Sequence, residues 1–258
     1  MFCLGILAWW TTGCAHTAHP DAFARNGAVT VLPQLTAVAT GPSAGLLANG
    51  KDFHGDFTLA LGDDAKPVVL NGQIFARGGR LCWVTTIGNH KSRATDGFSV
   101  VWAAAAWQGF VTSEALQGYA PLYVGVHSTL ATTTIGNPPT LPDLAGHPAD
   151  QAIETFQASD GQTIILQLSR ALDLGRLPLQ IHSLSGSPAF TLNLSQIQPE
   201  APAEDVFTPP DGFTKYPSEQ VLLDELAERQ HNVFVPDEED LGQPGTGTHR
   251  VNNEPGSR

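Results

Sequence analysis

Period-two alternation of apolar and polar residues recurs along this chain, and no other feature restricts its fold as much. Phe57-Thr58-Leu59-Ala60-Leu61, Ile164-Ile165-Leu166-Gln167-Leu168 and Phe190-Thr191-Leu192-Asn193-Leu194 each place alternate side chains on one face, as a strand with one buried face does. Val68 to Leu70, Gln73 to Ala76, Leu81 to Thr86, Phe98 to Trp107, Phe110 to Thr112, Ala152 to Gln157 and Leu179 to Ser183 extend the series. Between them stand Asn71-Gly72, Gly78-Gly79, Asp160-Gly161 and Ser185-Gly186-Ser187-Pro188, residues that tolerate positive φ or fix a bend. Short strands joined by tight turns predict an antiparallel sheet, and an apolar face predicts that it curves over what it buries. The expected class is mainly β with minor α: a curved antiparallel sheet or incomplete β-barrel with a helix lid.

One strong helix is predicted, from about Pro217 to His231. Ser218 offers an N-cap, Glu219 an acidic first turn, and Val221, Leu222, Leu223 and Leu226 an apolar stripe. Residues 49–231 then make one domain. His127 to Leu144, with Ala131-Thr132-Thr133-Thr134 and Asn137-Pro138-Pro139, reads as a long surface loop. Residues 232–258, with Pro236-Asp237-Glu238-Glu239-Asp240, read as a disordered acidic and Gly/Pro-rich tail.

The N-terminus carries an address. An apolar run from Phe2 to Trp10, the small residues Thr11, Thr12 and Gly13, and then Cys14 resemble a bacterial lipobox, which makes residues 1–13 a signal peptide and Cys14 the acylated residue. The charged n-region is missing, since the first basic residue is Arg25, and this leaves open whether Met1 is the true start. Ordinary secretion with cleavage after Ala22-Phe23-Ala24 is the alternative. The run is well short of the roughly 20 apolar residues of a membrane span. More than one acyl chain gives stable attachment, at about 0.8 kcal/mol per buried CH2. Residues 14–48 read as a tether, with Val29 to Val38 as a conceivable first strand. Ala15 after the cysteine favours the outer membrane by the enterobacterial sorting convention.

With 41% hydrophobic and 15% charged residues, the chain buries one good core. Its net charge of -12 disfavours nucleic acid as a partner, because gripping phosphates needs a clustered basic face. Cys82 is the one cysteine of the predicted domain and reads as a buried strand residue. The histidines His54, His90, His127, His147, His182, His231 and His249 are isolated in sequence, so no metal site is expected, and no cofactor loop is present. Gly41-Pro42-Ser43-Ala44-Gly45 matches the G-x-S-x-G pattern of serine hydrolases. It lacks the surrounding strand-to-helix context, so a linker turn is preferred and no catalytic residue is expected. Trp102-Ala103-Ala104-Ala105-Ala106-Trp107 places small residues between two indoles, either as ordinary packing or as room for an apolar ligand. The candidate apolar cavity comprises Phe75, Trp83, Trp102, Trp107 and Phe110 from the sheet and Leu222, Leu223 and Leu226 from the lid.

Further along, Ala145-Gly146-His147-Pro148, Glu154-Thr155-Phe156, Asp160-Gly161, Leu172-Asp173-Leu174-Gly175-Arg176-Leu177-Pro178-Leu179 and Phe207-Thr208-Pro209-Pro210-Asp211-Gly212-Phe213 follow in order. Together they resemble the C-terminal half of LolA-like periplasmic proteins, above all uncharacterised bacterial lipoproteins of that fold. The resemblance covers about Asp52 to Arg229. It implies an incomplete antiparallel barrel whose apolar concave side is covered by helices and receives acyl chains. The expected function is a non-enzymatic, membrane-anchored envelope lipoprotein that binds a lipid, a lipoprotein acyl chain or another apolar partner. The alternatives are a scaffolding lipoprotein with a filled core that contacts envelope proteins and, more remotely, a hydrolase using Ser43. Cys14→Ser should abolish incorporation of a clickable fatty acid and release the protein from the membrane fraction; an unlabelled wild type would refute the anchor.

Overall fold

The computed structural model describes residues 27–62, 66–88, 95–123, 128–135 and 144–232. The expected signal, Cys14 and nearly all of the predicted tail lie outside the described residues. Two helices, α1 (Ala28–Thr40) and α2 (Pro42–Ala48), precede six strands: β1 (Phe53–Leu61), β2 (Val68–Arg77), β3 (Arg80–Gly88), β4 (Thr95–Ala103), β5 (Gln108–Ser113) and β6 (Gly118–Tyr123). Five more follow: β7 (Ser128–Ile135), β8 (Ala149–Ala158), β9 (Thr163–Ala171), β10 (Leu177–Ser185) and β11 (Phe190–Gln198). The two-residue β12 (Thr214–Lys215) and helix α3 (Glu219–Asn232) complete the described chain.

All twelve strands belong to one sheet, ordered β12-β6-β5-β4-β3-β2-β1-β11-β10-β9-β8-β7. Every long pairing is antiparallel; β12 alone runs parallel to its neighbour β6. Two meanders, β1 to β6 and β7 to β11, are therefore joined along β1 and β11. Ten strand spacings separate β6 from β7 in this ladder, about 48 Å if the sheet were flat. Yet residues 124–127 alone connect them, and that link reaches about 18 Å at most from Tyr123 to Ser128. The sheet has to curl until its edges approach each other. This is the curved sheet that the alternation predicts.

The curl gives the sheet an inner face, and parity decides what it holds. Phe53, Phe57, Leu59 and Leu61 of β1 point inward and are buried. Inward too are Ile74, Trp83, Val100 and Val111, which pair directly across β2 to β5. Trp83 packs edge-on against Phe57 with ring centroids 5.1 Å apart. Against this face lie α1 over β3 and β4, α2 over β2, β3 and β10, and α3 over β6 and α1.

The helices α1 and α2 correct the expectation of a tether over 14–48. Val31, Leu32, Leu35, Val38 and Ala39 recur at helical spacing and are all buried, so the apolar face of the sheet recruits them as its cover. Pro33 faces outward from α1. Residues 28–48 are thus part of the folded unit, and the first strand expected at Val29 to Val38 is helix. Three other expectations also change. Asn71-Gly72 is the middle of β2, not a turn: a Cβ on Gly72 would lie 2.9 Å from the Phe57 ring and 2.0 Å from the carbonyl oxygen of Val84, so the glycine serves packing. Phe98 to Trp107 is not one strand, since β4 ends at Ala103 and a 3-10 turn over Ala104–Ala106 delivers Trp107 in the left-handed region at φ 51°. The loop expected at His127 to Leu144 contains β7, which shows no apolar period because nearly all of it is exposed. Gly78-Gly79 and Asp160-Gly161 do make hairpins, with φ of 55° and 79° at the first pair and 87° at Gly161.

After β11 the chain crosses the outer face as a strap, residues 199–213. It pairs with the edge of β6 through β12, turns inward and ends as α3. Ser218 caps α3, its Oγ accepting from the Val221 amide at 3.4 Å. The Thr36 hydroxyl donates to Glu219 Oε1 at 2.9 Å, tying α3 to α1. Leu222, Leu223 and Leu226 are buried at 0%, 4% and 3% exposure. Leu222→Ala should therefore cost about 2–5 kcal/mol in urea denaturation, whereas Val221→Ala, exposed on the same helix, should change stability by no more than about 0.5 kcal/mol.

Candidate ligand-binding cleft

Where β7 and β8 come opposite the corner between β4 and β5, a cleft of about 440 Å³ is formed. Trp102, Ala104, Ala105 and Trp107 form one wall, Leu130 of β7 and Phe156 of β8 the other, and the α1–α2 junction with Leu46 the back. The two indoles meet edge-on, centroids 6.3 Å apart. Trp102 is buried and Trp107 41% exposed, which sets the second ring at the mouth. No charged side chain lines the cleft among the described residues. Thr40 at its edge donates its hydroxyl to the Thr36 carbonyl and offers no free donor. The site therefore suits apolar contacts rather than ionic ones.

Small residues create the space. A Cβ on Gly45 would touch nothing within 4 Å, and its φ is not in the left-handed region, so the backbone does not require glycine there. Ala104 and Ala105 keep the opposite wall thin. These are the alanines that the sequence sets between two indoles.

The eight predicted cavity residues fall into three environments. Trp102 and Trp107 line the cleft. Trp83, Leu222, Leu223 and Leu226 belong to the close-packed core beneath the helices. Phe75 and Phe110 point outward, because Phe75 pairs with Cys82 rather than Trp83, and Phe110 with Val101. A shared environment for all of them is ruled out by strand parity. Leu46, Leu130 and Phe156 were missed: two lie in the presumed tether and loop, and Phe156 comes from the far meander. Helical spacing from Val31 to Ala39 was the available signal for the first of them.

Ser43 is not placed as a nucleophile. It is 1% exposed and its hydroxyl donates to the Val38 carbonyl at 2.8 Å, bracing the α1–α2 corner. The described histidines have separate tasks: His54 stacks on Phe75, His147 Nδ1 contacts Asp173 Oδ2 at 2.8 Å, and His182 Nδ1 contacts Thr191 Oγ1 at 2.8 Å. No three metal-ligating groups converge among the described residues. No described helix is long and apolar enough to cross a membrane.

Strands β8 and β9 carry an ion-pair cluster on the inner face. Arg170 donates to both carboxylate oxygens of Asp150, at 2.9 and 3.1 Å, and stands 3.8 Å from Glu154 Oε1. Glu154 Oε2 is buried without a hydrogen-bond partner. Burial pushes the Glu154 carboxyl up from its ordinary 4.5, and the Arg170 charge only partly opposes this.

No protein-family model matches the chain, and no curated protein matches it in sequence. Among solved structures it is similar to MucB, at 15% identity over 70% of this chain and 64% of that one, with a TM-score of 0.34. A LolA superfamily protein from Nitrosomonas europaea matches at 10% identity over 70% of this chain and 97% of that one, with a TM-score of 0.37. PNGF-II matches at 7% identity over 70% of this chain and 34% of that one, with a TM-score of 0.39. The chain thus spans less than two thirds of MucB and about a third of PNGF-II. The family that the sequence motifs resemble is among the structural neighbours; at these TM-scores the likenesses carry nothing about ligand, partner or activity.

A carboxyl whose pKa rises on folding holds its proton where the unfolded chain has released it. Its cost is absent below about pH 4, grows as pH climbs through the unfolded and then the raised folded value, and persists above. Glu154→Gln removes that cost while Arg170 keeps Asp150. The variant's melting temperature relative to wild type should therefore rise between about pH 4 and about pH 7; a constant difference would show that Glu154 does not titrate between the two states in this range.

Proposed function

We propose that this protein is a non-enzymatic envelope lipoprotein, anchored through Cys14, that holds an apolar ligand, a lipid or a lipoprotein acyl chain, in the cleft between the β4–β5 corner and strands β7 and β8. The cleft carries this reading: its walls are mainly aromatic and aliphatic, with Thr40, Asn49 and Ser128 as uncharged polar members, and its volume falls in the roughly 300–1,000 Å³ range of ligand pockets. The motif resemblance supports an acyl chain as occupant. An unfilled apolar surface of this kind gains from any hydrophobic guest, at about 25 cal/mol per Å² covered. The lipobox-like N-terminus supports attachment to a membrane facing the periplasm, with the outer membrane favoured by Ala15.

A second reading has its own support. The core beneath α1, α2 and α3 is filled by the protein's own side chains, Trp83 and Leu222 included, as a scaffolding lipoprotein would require. The two readings differ only at the cleft. Gly45 separates them, because a side chain there enters open space. Gly45→Trp should keep the melting temperature of wild type and weaken uptake of a fluorescent fatty acid by about tenfold or more, since the indole occupies the guest's volume. A wild type that does not bind the probe would leave the scaffold reading standing.

A further inference from the structure

The outer face of the sheet carries a feature that the cleft does not use. Phe75, Cys82, Val101, Phe110 and Pro121 pair directly across β2, β3, β4, β5 and β6, an apolar row on the solvent side. Of the neighbouring outward positions Gln73, Ser99 and Thr112 are polar, and Val84 adds to the apolar surface. The strap covers part of the row with Val206 and Phe207, and Phe207 is 5% exposed.

The rest of the row stays open as a socket of about 260 Å³ beneath Asp205, Val206, Thr208 and Pro210. The strap is fixed over it. Arg80 donates to both oxygens of Glu204 and lies 4.8 Å from the Phe207 ring centroid. Arg77 donates to the Pro202 carbonyl at 2.7 Å, and beyond the socket β12 pairs with β6. Both ends being held, the strap roofs the space rather than collapsing into it.

The roof is acidic. Glu200, Asp205 and Asp211 are exposed, and among the described residues Arg77 and Arg80 are spent on Glu204. The chain as a whole carries a net charge of -12. We infer that this socket docks one large apolar side chain, aromatic or branched, presented by a basic peptide segment of a partner protein. The volume lies below the range of small-molecule pockets and suits a single anchor residue. The carboxylates select cationic flanks and speed their encounter. The site lies across the sheet from the cleft and does not depend on what the cleft holds.

Fluorescence anisotropy with dye-labelled acetyl-Lys-Lys-Trp-Lys-Lys-amide, its Lys-to-Glu counterpart and its Trp-to-Ala counterpart tests this. Only the first should saturate, more weakly as salt rises. Gln73→Trp, from an exposed position lining the socket, should abolish binding by filling it. Asp205→Lys, a change on the exposed strap, should weaken it by about fivefold and keeps the test decisive if the first variant disturbs the sheet. Equal binding of the Ala peptide, equal binding of the acidic peptide, displacement by equimolar free indole, or no saturation by any peptide at millimolar concentration would each overturn the proposal.

Discussion

The short link between β6 and β7 governs this molecule. Four residues connect two strands that a flat sheet would hold far apart, so the sheet has to curl, and most of the remaining architecture follows. Curling makes one face concave and too apolar to leave wet, which recruits α1, α2 and α3 as its filling. It also brings β7 and β8 opposite the corner between β4 and β5, so that Leu130 and Phe156 face Trp102 and Trp107. The cleft lies between these two walls.

How much of this was legible depends on whether the signal was local. Alternation identified β1, β9 and β11 because one face of each is buried, and Ser218 with its leucines identified α3. Helix α1 was hidden by its composition: valines and threonines suggest a strand, and the Gly41-Pro42 corner suggests a linker, although the buried positions recur at helical spacing. Strand β7 had no period to detect, because its place comes from hydrogen bonds to β8 rather than from burial. Asn71-Gly72 misled for a different reason, the glycine being demanded by the Val84 carbonyl and the Phe57 ring that crowd it. The two tryptophans were visible as cleft candidates, since the alanines between them are local. Their counterparts across the cleft were not, because sheet curvature leaves no mark in either segment alone.

Parity and wrapping divide the protein into two apolar systems. A single step along β3 separates Trp83, in the inner core, from Cys82, in the outer row. Desolvation in that outer cluster pushes the Cys82 thiol up to about 12, which makes it a packing residue rather than a nucleophile. The strap is the segment that serves both systems: it roofs the outer row, lines the β6 edge and continues into the helix that fills the inside. Arg80 and Glu204 anchor it outside, Thr36 and Glu219 inside.

The seam between β1 and β11 has a kinetic meaning. His54 pairs with Gln198 and Leu61 with Phe190, so the centre of the sheet is built from opposite ends of the domain. Each meander consists of neighbouring hairpins with inexpensive local closures, whereas this junction bears the largest loop-closure entropy of any strand pairing in the sheet. While β11 is still being synthesised, β1 presents an unpaired edge. The helices α1 and α2 precede β1 in the chain and are therefore made before the described strands, so an apolar cover is available to the first meander throughout that interval.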